Sequence, residues 1–226
     1  MTPQRYTQFV FFALILLYVA LMIIGGLNVP VAFRVPHDSA SAAVFVSEHS
    51  RAIRWGSFCE FASAIPLGLF MAISLGRLRS LAIHAAGEQV AALGALAAPL
   101  MLAGSAMATW SLTRPGVADA SGAVAALQSI GFDGGGPGFA VFLGLFVAGV
   151  SVAAGWQLLI PRWLMGLGIV VAAAGELSML TLLNFTAGYF IPVARFLSLL
   201  WMLGIALQLP VAVPVPEASE RALSSI

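Results

Sequence analysis

Glu60, Glu176 and Arg195 are the residues of this chain best placed to do chemistry, because each interrupts an otherwise apolar run. A charge at mid-bilayer costs from about 3 to above 10 kcal/mol unless it is paired, neutralised or hydrated. Two carboxylates at such depth can bind a cation, relay a proton, or donate one to a lipid-soluble substrate. In that last case Glu60 is the general acid. The same residues can instead form a triad that only locks helices together, since the planar arginine fork bridges two carboxylates. The distance from Arg195 decides which acid carries a proton near neutral pH, and Glu60 is the better donor if Arg195 takes Glu176. Asn184 and Ser178 are expected close to this polar cluster.

The elements holding these residues must be membrane helices. Between Phe9 and Leu27 the chain runs FVFFALILLYVALMIIGGL without a charge, long enough to cross the hydrocarbon core as one helix. It is longer than the roughly 7–15 residues of a secretory apolar core, and no Ala-x-Ala cleavage pattern follows, so it reads as an uncleaved first span. Across all 226 residues 61% are hydrophobic and 8% charged, against about 25% charged in soluble domains. The expected fold is all-α, a polytopic transmembrane bundle of six helices with two long outer loops. Its spans are about 8–28, 57–76, 89–110, 139–160, 163–184 and 190–210. They form one domain over residues 1–210, followed by a flexible cytoplasmic tail, 211–226.

The loops are expected over 29–56 and 113–138. Ser39 can cap a short helix running to about Arg51, and Asp119 to Ile130 can form another. Gly134-Gly135-Gly136-Pro137-Gly138 reads as a hinge or turn. Arg77, Arg79 and Arg162 lie in the tightest links without acidic neighbours, while both long loops carry acids, which places both termini in the cytoplasm. With that orientation Glu60 lies roughly 9 Å, Glu176 roughly 15 Å and Arg195 roughly 8 Å below the outer ends of their helices. Spans five and six form an antiparallel hairpin that brings Glu176 towards Arg195.

Helices in lipid associate by close packing, so small residues four apart mark contact faces. The pairs are Gly94/Ala98, Gly104/Ala108, Gly144/Ala148 and Gly168/Ala172. Pro66 and Pro99 should kink spans two and three. Trp55, Trp110, Trp163 and Tyr189 fall near span ends, where amphipathic rings prefer to sit. Glu88 suits the start of span three through the helix dipole, with His84 on the same face. The lone cysteine, Cys59, reads as a packed side chain.

Much chemistry is excluded by what the spans lack. There is no His-Glu-x-x-His for a zinc protease and no aspartate inside a span for a paired-aspartate protease. Ser151 follows a Gly-Val pair, but no span histidine exists to activate it. His37, His49 and His84 fall in loops or at a boundary, which rules out a haem held by two span histidines. His37-Asp38 and Glu48-His49 are two isolated pairs, better read as solvated loop polarity than as a metal site. The glycine cluster has neither the lysine nor the strand of a phosphate-binding loop. No cofactor and no metal are expected. All ten basic residues are arginine and the formal net charge is +1, so no basic cluster exists to hold nucleic acid.

Gly144-Leu145-Phe146, Ile160-Pro161-Arg162-Trp163-Leu164-Met165-Gly166-Leu167-Gly168 and Pro192-Val193-Ala194-Arg195 through Gly204 resemble a bacterial family of small six-span membrane proteins without an assigned activity. The resemblance covers about residues 140–210. It implies a six-helix fold in a bacterial inner membrane and brings no activity with it. A looser similarity, in compactness and in an acid within the bundle, is to integral-membrane terpene cyclases. That similarity implies Glu60 as proton donor to an isoprenoid-like substrate.

The first expectation is therefore a non-enzymatic integral membrane protein: a small transporter, channel-like protein or accessory subunit with Glu60 and Glu176 lining a polar cavity. The alternatives are an intramembrane enzyme using Glu60 on an apolar substrate, and a structural assembly subunit. Expected partners are membrane lipids, a small-molecule or ion ligand, and a second copy or another membrane-complex subunit.

Overall fold

The computed structural model describes residues 3–28, 39–81 and 86–210. His37, Asp38, His84 and the tail 211–226 lie outside them. Among the described residues all regular structure is helical. Its elements are α1 (Pro3–Asn28), α2 (Ser39–Ser80), α3 (Ala86–Ser111), α4 (Ser121–Asp133), a π-helical turn (Gly134–Gly138), α5 (Phe139–Trp156), α6 (Arg162–Leu177) and α7 (Phe190–Gln208). Two 3₁₀ segments, Ser178–Leu182 and Phe185–Tyr189, join α6 to α7. Six segments are long and apolar enough to cross a membrane, the architecture of a multi-pass membrane protein.

Two expected loops are largely helix. Residues 39–56 form the first part of α2, and α4, the π turn and α5 run on as one segment from Ser121 to Trp156. At 1.5 Å per residue these rods are about 60 Å and about 54 Å long, nearly twice the hydrocarbon thickness. Their excess length projects from one end of the bundle, and there the two overhangs pack on each other. Ala42, Val46 and Ile53 of α2, Leu112 after α3 and Val124 of α4 make a small separate core. Burying that surface holds these segments helical, where sequence alone suggests linkers. The short helix expected from Ser39 is present, and the backbone leaves helical geometry at His49 (φ −114°, ψ 17°). That break lies short of the expected end at Arg51, and it is the residue of α2 with non-helical dihedrals; α2 passes through Pro66 with helical dihedrals.

Elsewhere the bundle depends on close backbone approach. A Cβ on Gly94 would strike the backbone of Phe142 and Phe146, and one on Gly149 would strike Gly87 and Ala91, so α3 and α5 cross at glycine contacts. Gly144 rests against Ala172 and Gly175 of α6, and Gly168 against Ser151 and Trp201. Gly104 is the exception among the four pairs, with no atom within 4 Å of its would-be Cβ. Cys59 is buried against Gly25 of α1. Trp110, Trp163 and Tyr189 are exposed near helix ends, whereas Trp55, also exposed, lies inside α2 because that helix continues from Ser39. At the end opposite the α2–α4 cap, Gln8 of α1 donates to the Leu207 carbonyl of α7. There, too, Arg77 is buried, donating to the Leu209 carbonyl over the Phe11 ring.

Candidate functional site

The centre of the site is the π turn. A π-helical segment widens the helix by one residue per turn, and such segments are frequent where helices carry function. Four glycines allow it here, and Pro137 has no N–H to give back to the preceding turn. Carbonyls in and beside the turn also take side-chain donors from other elements of the bundle, where lipid offers no water to bond them. Ser105 of α3 donates to the Gly131 carbonyl at 2.8 Å. Arg195 of α7 donates through Nη2 to the Gly135 carbonyl. Ser178, after α6, lies 3.5 Å from the Pro137 carbonyl while donating to Gly175 at 2.6 Å. The glycine cluster expected to be a hinge or turn is thus a helical segment between α4 and α5, because burial among α3, α6 and α7 keeps its backbone bonded.

The acids lie around this turn. Glu60 of α2 lies with Oε1 3.0 Å from Ser105 Oγ, so the one hydroxyl proton of Ser105 is shared between that carboxylate and the Gly131 carbonyl. The same oxygen sits 3.1 Å from where a Gly135 Cβ would be, so any larger residue there would press on the carboxylate. Arg195 and Glu60 therefore converge on Gly135, one through its carbonyl and the other against its α-carbon. The guanidinium also lies 4.9 Å from the Phe139 ring centroid, within cation–π range. Tyr18 of α1 is buried on the same side of the bundle. Glu176 lies at the end of α6, beside Gly175, whose would-be Cβ meets the Ala140 carbonyl of α5. One of its carboxylate oxygens is buried without a hydrogen-bond partner, as is Arg195 Nε. Among the described residues no ion pair joins Glu176 to Arg195 within 4.0 Å. Ala140, Ala174 and Ala194 pack as a buried cluster joining α5, α6 and α7 at this level. Small side chains there bring the helices of Glu176 and Arg195 to the same layer without making a bridge.

Asn184 stands apart. It is exposed, and its Oδ1 accepts from the Thr186 N–H at 3.0 Å, which caps the 3₁₀ segment Phe185–Tyr189. The cap satisfies a helix-end donor locally, so the side chain never turns towards the cluster. Ser151 accepts from the Trp201 indole at 2.9 Å inside the core. Glu88 pairs with Arg79 at 2.6 Å, tying the start of α3 to the end of α2. His49 Nδ1 lies 3.1 Å from the Phe45 carbonyl and its ring stacks on Phe45. Among the described residues no group of three or more His, Cys, Asp or Glu is placed to hold a metal.

Sequence reasoning missed Ser105, Tyr18 and the Gly135 carbonyl. Ser105 and Tyr18 sit in apolar runs like many others, and a backbone acceptor leaves no trace in residue type. The one available signal was the glycine–proline cluster, beside which a polar residue from a neighbouring helix has a reason to lie.

No family model matches this chain, and no curated protein or solved structure is significantly similar to it.

Proposed function

We propose that this multi-pass membrane protein is a small transporter or channel-like protein that moves a proton or small cation past Glu60 and Glu176, with Arg195 as the fixed counter-charge. The observation that carries the reading is the buried carboxylate oxygen of Glu176 without a hydrogen-bond partner. An acid in that state is costly to a bundle and is more readily explained by work than by stability. The interrupted helix beside it supports the same reading, since discontinuous helices place backbone and acids together at ion sites in carriers. Glu60, held by Ser105, would pass charge along the π turn, and Arg195 would limit how many cations the site accepts.

The test is flux. Purified protein is reconstituted into liposomes loaded with a pH-sensitive dye, and a potassium diffusion potential drives protons inward. Acidification several-fold above protein-free vesicles is expected. Glu176→Gln and Glu60→Gln should return it to the protein-free rate, while both variants keep the wild-type unfolding temperature. Glutamine can still accept from Ser105, so folding is preserved in the Glu60 variant. Wild-type flux equal to empty vesicles, or an undiminished Glu176→Gln, refutes the proposal.

A second reading is favoured by a separate observation. Ser105 and Arg195 both donate to carbonyls of the α4–α5 rod. On that reading the cluster is a clamp that fixes the π turn in an assembly subunit. It predicts no flux, and a lower unfolding temperature for Ser105→Ala and Arg195→Gln.

A further inference from the structure

The break at His49 lies away from the acidic site. An open groove of ≈ 1240 Å³ lies beside it, between α2 and α3 at the capped end, with His49 among its lining residues. That exceeds the about 300–1,000 Å³ of a site for a drug-sized molecule. Its floor is apolar and exposed, with Trp55, Phe58, Phe61 and Met107. Arg51 and Arg54 stand on its rim. A smaller pocket of ≈ 270 Å³ shares Arg54 and adds Arg114, whose guanidinium lies 5.0 Å from the Trp110 ring centroid. All three arginines are exposed, and none forms an ion pair with a described residue. Among the described residues Glu48 is the one acid lining the groove. Three arginines to one carboxylate, set where an apolar slot meets the helix ends, complement an anion with a hydrocarbon tail.

We propose that this groove is a binding site for an anionic glycerophospholipid. Its phosphate is taken by Arg51, Arg54 and Arg114, and an acyl chain lies along Trp55, Phe58, Phe61 and Met107. Guanidinium groups match phosphate oxygens in pairs, and basic pockets at the ends of membrane helices select anionic headgroups. The aromatic floor favours a chain over a bare ion, because exposed Trp and Phe gain nothing from inorganic phosphate. Glu60 is not among the groove's lining residues, so the site is independent of the proposed transport path.

The experiment uses tryptophan quenching by brominated lipids in the reconstituted full chain. Brominated phosphatidylglycerol and brominated phosphatidylcholine with the same acyl chains are titrated in separate vesicles. General bilayer contact quenches equally in both, so the ratio of the two half-quenching concentrations reads selectivity. A preference for phosphatidylglycerol of about ten-fold or more is expected, falling about two-fold for each arginine replaced by glutamine and to about one in the triple variant. Arg79→Gln and Arg162→Gln, at the opposite end, should leave the ratio unchanged. Arg114→Gln alone serves if the triple variant Arg51→Gln/Arg54→Gln/Arg114→Gln fails to fold. Equal quenching by the two lipids overturns the proposal, as does an equal loss in the opposite-end variants. Displacement of the brominated lipid by millimolar inorganic phosphate also overturns it, since the site would then be for a free anion.

Discussion

Replacing Gly135 by alanine is the sharpest probe of how the π turn is held. The new Cβ would collide with the Ser105 hydroxyl, lie 3.0 Å from Ser105 Cβ and 3.1 Å from Glu60 Oε1. Ser105 can stay and be overpacked, which costs about 1–3 kcal/mol. Alternatively it can swing away and give up the proton it shares between Gly131 and Glu60, at about 1 kcal/mol, and leave a buried acceptor bare, at about 1 kcal/mol more. Either route costs about 2 kcal/mol, and alanine returns up to about 1 kcal/mol of helix propensity. A net loss of about 1–2 kcal/mol lowers the unfolding temperature by about 3–6 °C for a chain of this size. Cys59 supplies the assay, because the chain's single cysteine is 1% exposed and reacts with a thiol-sensitive dye only when the bundle opens. Gly104→Ala is the matched control, with nothing within 4 Å of its Cβ, and it should melt at or above wild type. In the double variant Gly135→Ala/Ser105→Ala the losses should fall short of additive by about 1 kcal/mol, since both changes act on one contact. Wild-type melting of Gly135→Ala, or strict additivity in the double variant, would refute the described packing around Ser105.

Gly94→Ala and Gly149→Ala should each destabilise more than Gly135→Ala, by about 3 kcal/mol, since backbone atoms cannot rotate out of the way as Ser105 can; the same dye-based melting curves check this. Trp201→Phe removes the donor to Ser151 and leaves a hydroxyl in the core, lowering stability by about 1–2 kcal/mol in denaturant or thermal unfolding. Glu88→Gln breaks the Arg79 pair, but Arg79 is 60% exposed, so the change should be below about 1 kcal/mol and shrink further in high salt. In the folded protein Cys59 should be labelled by a maleimide far more slowly than after unfolding, and prompt labelling would contradict its burial against Gly25.

How legible the molecule was depended on range. Residues 9–27 announce a span because hydrocarbon demands an unbroken apolar rod, a requirement satisfied within one segment. The short helix from Ser39 and the one near Asp119–Ile130 were legible for the same reason, from local capping and patterning. Their fusion into α2 and into the α4–α5 rod was not. It depends on Val46 and Ile53 meeting Leu112 and Val124, residues far apart in the chain. The glycine cluster was misjudged because glycine and proline break helices in water, where freed carbonyls bond to solvent. Here Ser105 and Arg195 bond carbonyls in and beside the cluster, and the segment stays helical within the bundle.

The amino-acid order by itself determined six rods long and apolar enough to cross a bilayer, and that Glu60, Glu176 and Arg195 lie within them. Only tertiary packing decided which polar groups meet. Arg195 turns to the Gly135 carbonyl rather than to Glu176, and Asn184 stays outside capping its own turn. The physical reason is that hydropathy is a property of each residue in turn, whereas a buried hydrogen bond is a property of two. In a bundle closed by glycine contacts, the position of one helix relative to the next sets which donor reaches which acceptor.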